Sequence, residues 1–370
     1  MELGLKNILY VCSTLKRSGP TNQLFNIVKN LPSSDYRVIV CTLSYESKDS
    51  LKTEFISNNI EVMCLGLTRV AGLFLMKRRF ERLVREFKPD IIHSQGVRSD
   101  KLVSGTDVDS LKIATLRNYP QLDYPMTYGK ILGRYLSLIH SRSLRKMNLV
   151  VGVSNGVCDN LSEYFGITNT RTILNGVDTT KFYFKDSKMS LRSQLGLPKD
   201  KTIWISVGHL SSRKDPESVI RSFSEYNETK SDAMLIFVGD GPLAETCNKY
   251  SSSNVRVIGR VPNVYDYLNA SDFFISASKA EGFPNTVLES LACGLPVVLS
   301  DIEPHKEFFD LGYNIGSLYR LGNGCSEEMT LVSNQDYSSM HSSSLELIDE
   351  CLSAEVMSRK YQEIYKGGIR

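Results

Sequence analysis

The sequence lacks a strong charge of one sign, because 44 Lys and Arg stand against 41 Asp and Glu and leave a net charge of +3. A protein that binds nucleic acid over its surface carries a larger basic excess, so the composition argues against such a partner. The sequence also lacks a run of about 18 uncharged apolar residues, which a membrane-spanning helix needs. Its N-terminal residues lead directly into an apolar strand pattern, which predicts no signal peptide. We therefore expect a cytoplasmic protein.

The eight cysteines lack the spacing of a metal site or a disulfide framework, since no Cys-x-x-Cys pair occurs among them. Cys12 and Cys41 stand inside apolar, strand-like runs. Scattered cysteines of this kind are typical of reduced core residues in a cytosolic protein. No repeat or low-complexity segment is evident either.

The 370 residues are enough for two domains. Apolar runs alternate with helical patterns in both halves, which predicts two α/β domains with parallel sheets covered on both faces. The alternation stops at 179–201, which we interpret as the interdomain linker. The run 338–344 is rich in serine and predicts a second, short polar linker. Apolar runs that predict strands occur at 7–13, 36–43, 60–65, 90–94, 111–116, 148–153, 202–207, 233–238, 255–258, 273–277 and 296–299.

Glu281 and Glu289 bracket the most informative stretch. Glu281 stands in a loop rich in Gly and Pro, and Glu289 lies within a short helix that Gly294 can end. Two turns of helix place the two carboxylates at most roughly 12 Å apart along the helix axis, and at such a separation they cannot share one proton. They could bind two ends of an extended polar ligand, such as the sugar and the ribose of a sugar nucleotide. The alternative is a solvated helix with two ordinary surface acids.

The run from Glu281 to Glu289 resembles the Glu-x7-Glu signature of the retaining, nucleotide-sugar-dependent glycosyltransferases of family 4, and a weaker resemblance covers nearly the whole chain. It implies the GT-B architecture, in which two doubly wound, Rossmann-like α/β domains face one another across a cleft. The implied domains are an acceptor-side domain at 1–185 and a nucleotide-sugar-binding domain at 186–352. The last helix, at about 353–370, would pack back on the first domain.

A basic pair follows the strand at 202–207, and cations there can neutralise a pyrophosphate leaving group. Lys214 matches the family's lysine, whereas His209 stands where the family has an arginine, and Arg213 could supply the second cation. The alternative for Arg213 and Lys214 is a solvated pair at a helix N-terminus. By resemblance Glu281 contacts the donor sugar and Glu289 holds the ribose hydroxyls.

The resemblance implies further donor contacts, most of them at strand ends. The helix mouth before Glu289 offers free N–H groups to sugar hydroxyls or a phosphate, although Asn285 or Thr286 could instead be only an N-cap. The Gly-x-Gly-Pro turn at Gly241 would shape the nucleotide pocket, and the main chain at 259–261 would contact the base. Gly19 opens a helix after the first strand, where a plain tight turn is the alternative. The predicted donor-binding residues besides Glu289 are Gly19, His209, Gly241, Arg260, Val261, Gly282, Phe283, Pro284, Asn285 and Thr286.

Two more strand ends carry polar side chains that could contact an acceptor or a sugar. His93 ends one strand, and a purely structural histidine is an equal alternative. Arg117 stands where many family members have a histidine, and its fixed charge favours contact with a phosphate or an acidic sugar. The Asp-x-Asp pattern at 107–109, a metal motif in another glycosyltransferase class, is interpreted here as a turn. We expect no metal and no cofactor beyond the nucleotide-sugar co-substrate.

Two basic helices, 73–88 and 128–146, could contact anionic lipid headgroups at the inner face of the plasma membrane. The alternative is an apolar core stripe with a solvated basic face. The expected activity is transfer of a sugar, hexosyl in type, from a nucleoside diphosphate to an acceptor hydroxyl, with retention. The resemblance suggests a lipid-linked acceptor in surface-polysaccharide synthesis and a UDP donor in preference to GDP. A nucleotide-sugar epimerase and a non-catalytic nucleotide-sugar-binding protein remain alternatives.

Overall fold

The computed structural model describes residues 5–66 and 69–367, with side chains at 69–74 left out. The chain forms two compact units. Unit 1 comprises residues 1–175 together with 354–370, and unit 2 comprises residues 176–353. The division therefore falls ten residues before the predicted boundary at 185/186.

Unit 1 is built on a seven-stranded parallel sheet with the order β3-β2-β1-β4-β5-β6-β7. Its inner strands are continuous runs of Val, Ile and Leu, which suits a sheet buried on both faces. Ile8, Ile91 and Leu111 stand side by side on β1, β4 and β5. Ile8 and Ile91 belong to one hydrophobic core, and Leu111 packs against it. The strands are β1 Lys6–Cys12, β2 Tyr36–Thr42, β3 Glu61–Cys64, β4 Ile91–Gln95, β5 Leu111–Leu116, β6 Leu149–Gly152 and β7 Thr170–Thr172.

The helices of unit 1 connect its strands, and the last helix of the chain joins them. Met357, Tyr361, Ile364 and Tyr365 of that helix lie in the same hydrophobic core as β1. The helices are α1 Gly19–Lys29, α2 Lys52–Ser57, α3 Arg69–Phe87, α4 Val97–Ser104, α5 Pro120–Tyr128, α6 Lys130–Leu144, α7 Asn155–Phe165 and α16 Ala354–Tyr365.

Unit 2 is built on a six-stranded parallel sheet with the order β10-β9-β8-β11-β12-β13. Its largest core side chain is Trp204, which is fully buried and stacks on Phe273 of the neighbouring strand at 4.6 Å. The strands are β8 Thr202–Val207, β9 Ala233–Val238, β10 Val255–Gly259, β11 Phe273–Ser276, β12 Val297–Ser300 and β13 Gly316–Tyr319. The helices are α8 Lys188–Gln194, α9 Pro216–Thr229, α10 Ala244–Asn248, α11 Val264–Ala270, α12 Asn285–Ala292, α13 Glu303–Phe309, α14 Ser326–Asn334 and α15 Tyr337–Leu347, followed by a π-helical segment, Ile348–Leu352.

Several local predictions were wrong. The predicted linker at 179–201 contains α8, because buried Arg192 donates hydrogen bonds to the carbonyl oxygens of Ala270, Lys199 and Lys201. The serine-rich run 338–344 is helical, since Asp336 caps α15 and Met340 is buried. Strand β13 was missed, and the predicted helix at 128–146 is α6 preceded by a separate α5. The side chain of Leu73, in the predicted basic helix 73–88, lies outside the described residues.

Each sheet has a point where the strand order reverses, between β1 and β4 in unit 1 and between β8 and β11 in unit 2. In open parallel sheets, ligands bind at the carboxyl ends of the strands beside this point, because loops and helix N-termini diverge there. These two switch points therefore define where functional side chains are expected in each unit.

Candidate functional site

A cluster of two cations and one carboxylate lies at the switch point of unit 2. Arg213 and Lys214 follow β8, and Glu281 follows β11. Glu281 Oε2 lies 2.9 Å from Arg213 Nη1, and Glu281 Oε1 lies 2.6 Å from Lys214 Nζ. Arg213 also donates to the carbonyl oxygen of Ala280 at 2.7 Å, which ties the two loops together. The structure thus brings together all three residues that the sequence marked as catalytic.

The electrostatics of this cluster favour an ionised Glu281. Burial alone would raise the pKa of Glu281, but the charges of Lys214 and Arg213 outweigh it and lower the pKa to about 2. The three side chains together carry a formal charge of +1. A cluster with more positive than negative charge can still attract an anionic group, such as a diphosphate.

Glu289 lies in α12, and its environment differs from that of Glu281. Burial raises the pKa of Glu289 to about 7, and the charges of Lys181 and Lys214 oppose that rise only in part. The two glutamates therefore have opposite pKa shifts within one loop-helix segment. Such a separation is common where titratable groups serve function.

The N-terminus of α12 is held in place by packing and not by a side-chain N-cap. Pro284 is the N-cap residue and makes no side-chain hydrogen bond, so neither Asn285 nor Thr286 is the N-cap that the alternative interpretation required. Phe283 stacks on Phe308 of α13, with ring centroids 4.2 Å apart and nearly parallel planes. This contact holds the Gly282–Thr286 segment in place beside Glu281.

A pocket of about 460 Å³ in unit 2 brings four of the other predicted residues together, His209, Gly241, Arg260 and Val261. Its turns approach so closely that they need glycine. A Cβ on Gly239 would lie 1.8 Å from the Gly208 carbonyl oxygen, and one on Gly241 would lie 2.4 Å from that of Leu210. The Gly-x-Gly-Pro turn therefore shapes this pocket through its backbone.

Sequence reasoning missed His305, which is fully buried at the start of α13. Its Nδ1–H donates to the carbonyl oxygen of Ser300 at 2.8 Å, so Nε2 is an acceptor, and it has no partner among the described residues. Burial lowers the pKa of His305 to about 4, although the charge of Glu281 acts in the opposite direction. Its position after β12, in Asp-Ile-Glu-Pro-His, was the available signal.

In unit 1, His93 is buried, and both ring nitrogens are occupied. Nδ1 lies 2.7 Å from the Tyr365 hydroxyl, and Nε2 lies 2.7 Å from Thr115 Oγ1. Burial and the charge of Arg117 lower the pKa of His93 to about 3, so the ring is neutral. His93 therefore links β4 and β5 to α16 and offers no nitrogen to a ligand.

Arg117, in contrast, lines a pocket of about 400 Å³ at the carboxyl ends of β1, β4 and β5. Gly19 begins α1, whose first turn borders the same pocket through Ser18, Pro20 and Thr21. These are the strands beside the switch point of unit 1.

A buried polar network behind this pocket was also missed by sequence reasoning. His140 Nε2 lies 2.6 Å from Asp100 Oδ2, and the Tyr124 hydroxyl lies 2.7 Å from His140 Nδ1. Ser94 donates to the second oxygen of Asp100 at 2.6 Å. The four residues stand on β4, α4, α5 and α6, so no local sequence pattern connects them.

Within the described residues, the protein has neither a clustered metal site nor a membrane-spanning helix. No group of three or more His, Cys, Asp and Glu side chains has the geometry of a metal site. No described helix is both long enough and apolar enough to cross a bilayer.

Two family profiles match the chain in succession. The profile described as Glycosyltransferase Family 4 matches residues 17–181, and the profile described as Glycosyl transferases group 1 matches residues 187–320. Together with the fold and the cluster at Glu281, they define the chain as a glycosyltransferase. The chain belongs to glycosyltransferase family 4.

Curated relatives and solved structures agree with this assignment. The chain is 27% identical over 314 residues, 82% of each protein, to the O-antigen biosynthesis glycosyltransferase WclY of Escherichia coli. It is 30% identical to the putative teichuronic acid biosynthesis glycosyltransferase TuaC of Bacillus subtilis, over 59% of the chain and 54% of TuaC. Anabaena HepE in complex with UDP-glucose matches with a TM-score of 0.80 at 18% identity, over 97% of this chain and 99% of HepE. The fold is that of the GT-B glycosyltransferases, as the sequence predicted.

Proposed function

We propose that the protein transfers a sugar from a nucleoside diphosphate to an acceptor hydroxyl, with retention and without a metal ion. The observation that carries the proposal is the cluster of Arg213, Lys214 and Glu281 at the switch point of unit 2. A pocket of about 460 Å³ opens at the carboxyl ends of strands of the same sheet. Such a pocket is large enough for a nucleoside, and the neighbouring cations suit the diphosphate.

The roles follow from charge and position. Lys214 and Arg213 take up the negative charge that grows on the diphosphate as the bond to the sugar breaks. Glu281, held between them, accepts hydrogen bonds from sugar hydroxyls, and Glu289 accepts those of the ribose. The leaving phosphate accepts the proton of the attacking hydroxyl. Two cations next to the diphosphate supply the charge neutralisation that a metal ion provides in other enzymes.

The substrates we propose follow the names of similar proteins. A UDP-sugar is the proposed donor, since the similar HepE was solved with UDP-glucose. A lipid-linked saccharide of a surface polysaccharide is the proposed acceptor, because the relative WclY is named for O-antigen biosynthesis. A second relative, of Rhizobium meliloti, is named for lipopolysaccharide core biosynthesis.

We also propose that the protein contacts anionic membrane through the hairpin of α5 and α6, residues 120–144. Ile131 is 89% exposed, although it is a large apolar residue. The segment from 119 to 146 contains five Lys and Arg and one acid, Asp123. Apolar side chains next to basic ones are typical of surfaces that bind anionic lipid. The exposed apolar residues of the hairpin are Leu122, Met126, Tyr128, Ile131, Leu132, Tyr135 and Leu138.

The helix α3 is a weaker candidate for this contact. Its apolar stripe, which includes Phe80 and Leu83, is buried in the core. Part of its charge is already paired. Lys77 Nζ lies 3.7 Å from Glu81 Oε1, and Arg82 Nε lies 2.7 Å from Glu86 Oε1. This arrangement supports the ordinary interpretation of α3 as a core helix with a solvated face.

Thermal shift with a panel of UDP- and GDP-sugars tests the donor, because a bound ligand stabilises the folded state in proportion to RT ln(1 + [L]/Kd). We expect a UDP-sugar to raise the melting temperature in the presence of EDTA. Lys214→Gln should weaken binding by about tenfold or more, since a charged hydrogen bond contributes about 1.5–3 kcal/mol. Lys249→Gln, at an exposed lysine of unit 2, is the matched control. A Lys214→Gln protein that binds as tightly as wild type would contradict the proposal.

Vesicle flotation tests the membrane contact. Wild-type protein should float with vesicles that contain anionic lipid and remain in solution with neutral ones. Ile131→Ser should reduce flotation, whereas Ile56→Ser, at an exposed isoleucine of α2, should not. Equal flotation of wild type and Ile131→Ser would remove the hairpin from the proposal.

A further inference from the structure

The pocket of unit 1 contains a guanidinium in an unusual setting. Arg117 follows β5 and donates hydrogen bonds to Gln95 Oε1 at 3.3 Å and to Asn175 Oδ1 at 2.7 Å. Both partners are neutral amides. Burial lowers the pKa of Arg117, and no carboxylate is among the groups that oppose this shift.

Arg117 is partly buried, and a partly buried cation without an acidic partner is costly, because its removal from water is not offset by an opposite charge. Arginine is normally retained in such a setting when a carboxylate or phosphate binds it. The neutral contacts to Gln95 and Asn175 orient the guanidinium and leave its charge uncompensated. The environment of Arg117 therefore favours the binding of an anion.

The rest of the pocket is positive as well. Lys16 is exposed at its edge, and no Asp or Glu lines it among the described residues. The N-termini of α1 and α4 border it through Ser18 and Gly96. Helix N-termini carry partial positive charge and favour anions.

The acid that contacts His140, one of the lining residues, is already engaged. Asp100, in the first turn of α4, is fully buried and bound to His140 and Ser94. His140 and Tyr124, which line the pocket, turn their polar atoms toward this network and not toward Arg117. Asp100 is thus not a partner for Arg117, and the positive potential of the pocket is left for a ligand.

We propose that the pocket of unit 1 binds an anionic group, carboxylate or phosphate, of a saccharide ligand, with Arg117 as its principal charged contact. That the ligand is a saccharide rests on the proposed function, whereas the need for a negative charge rests on Arg117 and on the lack of an acid among the residues that line the pocket. The position at the switch point of the sheet, beside β1 and β4, is where a parallel α/β domain binds its ligand.

The test measures binding of three soluble probes by isothermal titration calorimetry at constant ionic strength, with saturating UDP present to occupy the donor site. The probes are D-glucuronate, glucose 1-phosphate and neutral methyl glucoside. The proteins are wild type, Arg117→Gln, Arg117→Lys and Arg85→Gln, in which an exposed arginine of α3 provides the matched control. Circular dichroism verifies that each variant is folded.

We expect wild type to bind at least one anionic probe and to bind the neutral probe about tenfold more weakly or not at all. Arg117→Gln should lose at least about tenfold in affinity for the anionic probe, Arg117→Lys should lose less, and Arg85→Gln should be unchanged. A preference for D-glucuronate would indicate that the ligand of this pocket is an acidic sugar, and a preference for glucose 1-phosphate would indicate a phosphorylated sugar.

Equal binding of charged and neutral probes would overturn the inference, and so would anionic binding that is insensitive to Arg117. If Arg117→Gln alone failed to fold, the same comparison would use Arg117→Lys and Lys16→Gln. Failure of the proposed function appears separately, as an absence of UDP binding in the wild-type protein.

Discussion

Glu289→Gln should make the unliganded protein more stable at neutral and alkaline pH. The pKa of Glu289 rises from 4.5 to about 7 because burial of the carboxyl outweighs the opposing charges of Lys181 and Lys214. One pKa unit corresponds to about 1.4 kcal/mol, so ionising this carboxyl in the folded state costs up to about 3 kcal/mol. Glutamine has nearly the same size and no charge, and it avoids that cost.

The sign of the pH dependence follows from linkage. Because the folded-state pKa exceeds the unfolded value, the folded protein retains a proton that the unfolded chain releases. Stability from Glu289 is therefore full below pH 4.5 and is lost as the pH rises through about 7. Wild type and Glu289→Gln should unfold alike near pH 4 and diverge by up to about 3 kcal/mol at pH 8.

Urea unfolding followed by circular dichroism at pH 4 to 8 measures this difference. Glu228→Gln, at an exposed carboxylate of α9, is the matched control and should show no such divergence. UDP binding should change in the opposite direction, with weaker binding by Glu289→Gln, if the carboxylate holds the ribose. A Glu289→Gln protein that is no more stable than wild type at pH 8 would refute this account of Glu289.

Three further predictions concern buried charges. Glu281→Gln should destabilise the protein at pH 7 by about 3 kcal/mol, because the folded-state pKa of Glu281 is lowered. This difference should shrink as the pH falls from 4.5 to about 2. Equal stability of wild type and Glu281→Gln at pH 7 would refute the prediction. His140→Ala should lower the free energy of unfolding in urea by about 3–5 kcal/mol, because it leaves Asp100 buried without its partner. A loss below about 1 kcal/mol, which is no more than one neutral hydrogen bond contributes, would argue against an ion pair between His140 and Asp100. His305→Gln should reduce the loss of stability as the pH falls from 6.5 to about 4, because the folded-state pKa of His305 is lowered and its protonation favours unfolding. The same loss of stability in wild type and His305→Gln over this pH range would contradict that.

The parallel sheets could be predicted from sequence because their strands are continuous apolar runs. Leu111–Leu116, Thr202–Val207 and Ala233–Val238 have the bounds that their hydrophobic residues indicate. Strand β13, Gly316–Tyr319, could not be predicted in this way, because it is a four-residue edge strand that contains Gly and Ser.

Helix α15 was missed for a different reason. Its serine-rich sequence has low helix propensity, and burial of Met340 and Leu347 overrides that preference. Tertiary contacts of this kind leave no periodic signal in a short polar segment. The same is true of α8, where a buried Arg192 supplies the contacts.

The cluster of Arg213, Lys214 and Glu281 could be anticipated, since each stands at a strand end where a short motif marks it. The sequence could not reveal that Glu281 binds both cations, because residues 213 and 281 come from different loops. Nor could it place His93 in a buried network with Tyr365, which is 272 residues away along the chain. Such contacts depend on the completed fold.

The most direct test of the central claim is an experimental structure of this chain with UDP bound. We expect the diphosphate to lie within hydrogen-bonding distance, about 2.7–3.2 Å, of Lys214 Nζ, with the ribose hydroxyls at Glu289. UDP bound elsewhere, with Lys214 still paired only to Glu281, would contradict it.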